Sequence, residues 1–116
     1  MIQAGDLRKE IRDLFVNLIK TGGSILPCVQ GIDERIECDI LFFEYKIYTY
    51  RYIEDIESRK PELNKISPGE YIQDVNFMEY ARKQAKEAEN ELILYVKNMC
   101  DEASDIVICK ILNRIS

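Results

Sequence analysis

A chain of 116 residues, 47% apolar and 32% charged, has the length and composition of one globular unit that buries a single core. Its net charge of −5 argues against a sequence-independent nucleic-acid surface, which needs clustered Lys and Arg, although a local basic pocket stays open. Histidine is absent, which removes the Ser–His and Cys–His pairs of nucleophilic catalysis and every common zinc set except an all-thiolate one.

The four cysteines, Cys28, Cys38, Cys100 and Cys109, contain no C-x-x-C pair, so no metal and no other cofactor is expected. Met1 to Asp6 lacks a basic region followed by an apolar run, and no stretch approaches the apolar length of a membrane span. Free thiols in a reducing compartment then point to a cytoplasmic protein with no membrane partner.

In chain order, Leu7, Ile11, Leu14, Phe15, Leu18 and Ile19 recur at helical spacing and predict an amphipathic helix with Asp6 as its cap. Thr21-Gly22-Gly23 closes it, because glycine adopts the left-handed conformation of a helix end. Ser24 to Gly31, with Pro27, is a connector. From Asp33 to Ser58 the chain is rich in residues that also favour strands, so a β-hairpin competes with a helix. Length favours the helix, as do Asp33, Glu34 and Glu37 at the front and Arg59, Lys60 and Pro61 at the back. Such a helix carries apolar side chains around most of its circumference and is expected to be the central, most buried element.

Arg59 to Gly69, containing Pro61, Asn64, Ser67 and Pro68, is predicted to be a mobile loop. Gln73 to Met99 sets Phe77, Ala81, Ala85, Ala88, Leu92, Tyr95 and Met99 on one helical face, with Arg82, Lys83, Lys86, Glu87, Glu89 and Glu91 opposite. The small residues let a neighbouring helix approach closely. Asp101 to Ser116 supplies Ala103, Ile106, Val107, Ile111, Leu112 and Ile115 as a last apolar stripe. The expected fold is therefore all-α, an antiparallel array of about four helices. The abrupt end inside a periodic run reads as a piece of something longer.

Glu54, Asp55 and Glu57 are expected to be a solvated acidic face, and Gly22-Gly23 is not followed by a phosphate-loop pattern, so the chain is expected to be an interaction module rather than an enzyme. The run Tyr45-Lys46-Ile47-Tyr48-Thr49-Tyr50-Arg51-Tyr52 is expected to place its aromatics in the core, hydroxyls outward, in preference to stacking bases. Within it, the Arg51 fork and the Tyr52 phenol are candidates to meet on one phosphate group.

With its neighbours, Glu37 to Asp55 resembles the 14-3-3 helix of the form E-S-K-V-F-Y-x-K-M-x-G-D-Y-x-R-Y-x-x-E, keeping the leading glutamate, the apolar-aromatic middle and the Tyr-Arg-Tyr ending. Tyr80 to Leu92 is similar to the family's next helix, Ile111-Leu112-Asn113 to its L-x-L-N segment, and Leu7 to Pro27 to the helix ending in an L-I-P turn. The match covers roughly the fourth to the seventh of the family's nine helices. The resemblance implies a divergent or truncated phosphoserine/phosphothreonine-peptide-binding adaptor that recognises phosphorylated client proteins. It makes Arg51 the phosphate-gripping arginine, Tyr52 its phosphate-bonding tyrosine, Asn113 the peptide-backbone ligand and Leu112 its neighbour in the groove. Two positions depart from the family: Glu44 replaces the groove lysine, and Asp39 replaces another lysine. The competing expectation is a helical oligomerisation or partner-binding module, a homo-oligomer among the options, with no phosphate site.

Overall fold

The structure, a computed structural model, describes residues 4–66, 69 and 71–116. Helix α1 (Ala4–Lys20) buries Ile11, Phe15 and Ile19, half-buries Leu7 and Leu18 and leaves Leu14 exposed. Asp6 is the third residue of α1 and not its cap, and its charge in the first turn complements the helix dipole. The glycine stop holds: Gly22 has φ +86°, and the amides of Gly23 and Gly22 donate to the carbonyls of Leu18 (2.8 Å) and Ile19 (3.2 Å), a Schellman closure. The connector contains one helical turn, α2 (Leu26–Val29), with Val29 buried.

Helix, not hairpin, is the outcome for the aromatic segment. α3 (Glu34–Ile66) opens on Asp33, whose side chain accepts from the Ile36 amide at 3.0 Å. It does not stop at Ser58 but runs through Pro61, correcting the predicted loop. A proline inside a helix costs about 3 kcal/mol. Side-chain contacts flank it. Lys60 pairs with Glu57 at 2.6 Å, and the Asn64 amide brackets the Tyr71 backbone, accepting from its N–H at 3.0 Å and donating to its carbonyl at 3.2 Å. Ser67 and Pro68, on which the loop expectation also rested, lie outside the described residues.

α4 (Val75–Glu102) begins at Asp74, whose carboxylate accepts from the Phe77 amide at 3.0 Å. It runs antiparallel to α3 on one side, through pairs such as Glu54–Arg82 and Asp39–Tyr95, and to α1 on the other, where Arg8 donates to the Cys100 carbonyl. This makes α4, not α3, the central element. Ala81, Ala85, Ala88, Leu92, Val96, Met99 and Cys100 are all buried, whereas α3 buries only Ile40, Glu44, Ile47 and Glu57. α5 (Asp105–Ile115), capped by Ser104, turns Ile108 and Ile111 inward and leaves Ile106 exposed, a shift from the predicted stripe. Arg114 ties its end to α2 by donating to the carbonyls of Pro27 (3.0 Å) and Gln30 (2.8 Å).

The result is an all-α array, 64 × 24 × 22 Å, with no strand among the described residues. No described helix is long and apolar enough to cross a membrane. Cys28 is half-buried and Cys100 buried, while Cys38 and Cys109 are exposed; burial pushes the Cys100 thiol up to about 11. Among the described residues no three candidate ligands gather for a metal ion.

Candidate functional site

Successive helical positions are about 100° apart, and this separates the two residues expected to share a phosphate. Arg51 points toward α4. Its Nη2 donates to Glu89 Oε2 at 3.1 Å, and a Cβ placed on Gly22 would stand 3.9 Å from its Nη1. Lys86 Nζ lies 3.5 Å from the other Glu89 oxygen, so two cations converge on one buried carboxylate. Tyr52 points instead to the open face and is 67% exposed.

Leu112 is half-buried against the core, and Asn113 is exposed on α5, in a cleft with Gly31, Ile32, Lys110 and Arg114. The Gly31 amide in turn donates to Glu37. Arg51 is fourteen residues further along α3 than Glu37, a rise of roughly 20 Å. The expected site is thus divided: Arg51 with Glu89, Tyr52 on the open face, and Leu112 with Asn113 near the start of α3. Leu112 and Asn113 lie apart from Arg51 because α5 packs on α1 and α2 and has no comparable contact with α3.

Both acids that depart from the resembled family have structural roles. Glu44, 4% exposed, accepts from the Ser24 hydroxyl and the Ile25 amide, each at 2.8 Å, and so pins the connector to α3. It therefore does not project a free charge into a groove. Asp39 accepts from the Tyr95 hydroxyl at 2.8 Å, and burial together with that bond raises the Tyr95 pKa. Glu57, expected on a solvated face, is buried. Its carboxylate accepts from Lys60 and from the Asp74 amide, and these bonds hold its pKa below the usual carboxylate range.

A different feature of α3 stands out. Asp39, Phe43, Lys46, Tyr50 and Glu54 contact α4, through a hydrogen bond to Tyr95, ring contact with Tyr95, an ion pair to Glu91, ring contact with Tyr80 and an ion pair to Arg82. Leu41, Tyr45, Tyr48, Tyr52 and Ile56, spaced by three or four, occupy the opposite side of the helix and are all exposed, with Phe42 beside them. The expectation that the aromatics are core fails for Tyr45, Tyr48 and Tyr52. The five side chains form one continuous apolar and phenolic face about 22 Å long.

The chain matches no family model, no curated protein and no solved structure.

Proposed function

We propose that this chain is a protein-interaction module that receives its partner along the outward face of α3. The observation that supports it is the face itself: five large side chains in one register, turned away from the rest of the molecule. Scattered exposed apolar residues are ordinary, but a contiguous patch of several hundred Å² marks a contact surface. Tyrosine suits such a face, because it brings large contact area, few rotamers and a hydroxyl that stays satisfied when wet. Selection from a displayed library of amphipathic helical peptides tests the reading. Peptides retained by the natural chain are expected to be lost by Tyr45→Glu and Tyr52→Glu; retention of the same peptides by both variants overturns it.

A second reading is the divergent or truncated phosphoserine/phosphothreonine-peptide-binding adaptor of 14-3-3 type. One observation favours it: Arg51 and Lys86 converge on a single oxyanion, the Glu89 carboxylate, in the manner that cations converge on phosphate. A phosphopeptide would have to share or displace that carboxylate, and Tyr52, on the opposite face of α3, takes no part. The expected result is a preference of at least about 10-fold for a phosphoserine peptide over its unphosphorylated twin, measured by fluorescence anisotropy and abolished by Arg51→Met. Equal affinities for the two peptides remove this reading and leave the first intact.

A further inference from the structure

We propose that the partner on the α3 face is a second copy of this chain, paired antiparallel about a two-fold axis at the Tyr48–Thr49 bond. The inference rests on the reading of that face as a contact surface and names its occupant. An isologous contact presents the same patch from both subunits, so the pattern must be self-complementary under reversal. The α3 stripe has that property. Reversed about the centre between residues 48 and 49, Leu41 falls opposite Ile56, Tyr45 opposite Tyr52, and Tyr48 opposite Thr49. Tyr45 and Tyr52 then meet ring to ring, Leu41 and Ile56 meet as aliphatics of like size, and Tyr48 lies over the smaller Thr49 near the axis.

Charge selects the same orientation. The first turns of α3 carry Glu34, Glu37 and Asp39 with Arg35, and its last turns carry Arg59, Lys60 and Lys65 with Glu62, so the helix starts net negative and ends net positive. Antiparallel pairing sets the acidic end of one helix beside the basic end of the other and opposes their dipoles, whereas parallel pairing stacks like on like. Area is consistent as well. Exposed by 39–71% each, Leu41, Tyr45, Tyr48, Tyr52 and Ile56 offer together on the order of 600 Å² per copy. Flanking contacts at Cys38, Phe42, Thr49 and Arg59 bring this near the roughly 800 Å² per partner of a standard interface. The pairing buries Tyr52 and therefore competes with any ligand that uses it.

Sedimentation equilibrium between about 1 and 500 µM protein is expected to show a monomer–dimer equilibrium. Tyr45→Glu, which enters a two-fold interface twice, is expected to weaken it at least about 100-fold. Orientation is read separately in a Cys109→Ser background: Arg59→Cys is expected to cross-link with Cys38 of the other copy through a short bismaleimide, while Cys38 alone gives no cross-linked dimer. A monomer at every concentration, or a dimer indifferent to Tyr45→Glu, overturns the proposal. A monomer whose Tyr45→Glu variant still loses selected peptides sinks the second copy alone; loss of neither sinks the contact-surface reading too.

Discussion

Glu44→Lys is expected to lower the free energy of unfolding by about 3–5 kcal/mol, read from the urea midpoint at neutral pH. The carboxylate sits 4% exposed among donors only, the Ser24 hydroxyl and the Ile25 amide. An ammonium there brings a third set of donors and no acceptor, and leaves a buried amide without a partner. Glu44→Gln keeps one acceptor oxygen and is expected to cost only about 1–2 kcal/mol. The contrast has a functional edge, because lysine is what the resembled 14-3-3 helix carries at this position. If Glu44→Lys left the midpoint unmoved and gained affinity for a phosphopeptide, the connector would not depend on this carboxylate and the phosphate reading would overtake the α3 face.

The helices themselves were legible because their signals are local. Spacing of Ile11, Phe15 and Ile19, the Gly22 stop and the alanine run Ala81, Ala85, Ala88 each act within a few residues, and each appears in the structure where the pattern put it. Pro61 misled because a proline marks a helix boundary only by tendency, and α3 runs five residues past it to Ile66. Glu44 offered a signal that went unused. It sits in register with Ile40 and Ile47, both buried, and an acid in such a register calls for donors from elsewhere in the chain. The central position given to α3 failed for a reason of supply. A helix apolar on all sides needs neighbours on all sides, and α4, the connector and α2 provide them on only some. The residue types Arg51, Tyr52, Leu112 and Asn113 were readable, but their mutual placement was not, since it depends on where α5 packs.

Phe15→Ala is expected to lower unfolding stability by about 3–5 kcal/mol, whereas Tyr45→Ser changes it by no more than about 0.5 kcal/mol in the monomer at low concentration. Both remove an aromatic ring; their surroundings differ. Phe15 is 0% exposed in the main core cluster, so its loss removes transfer energy and leaves a cavity that Ile11, Ile19 and their neighbours fill only in part. Tyr45 is 71% exposed on α3, and the solvent closes over its absence. A domain of this size holds roughly 5–15 kcal/mol in all, so the first change removes a large share and the second almost none. Thermal or urea melts of the two variants therefore divide the aromatic content of the chain into rings that hold the fold and rings that do not. A large loss from Tyr45→Ser would mean that the α3 face belongs to the core of the folded chain, and the contact-surface reading would fall with it. A small loss leaves a ring that the monomer keeps in water at no benefit to its own stability, as the contact-surface reading requires.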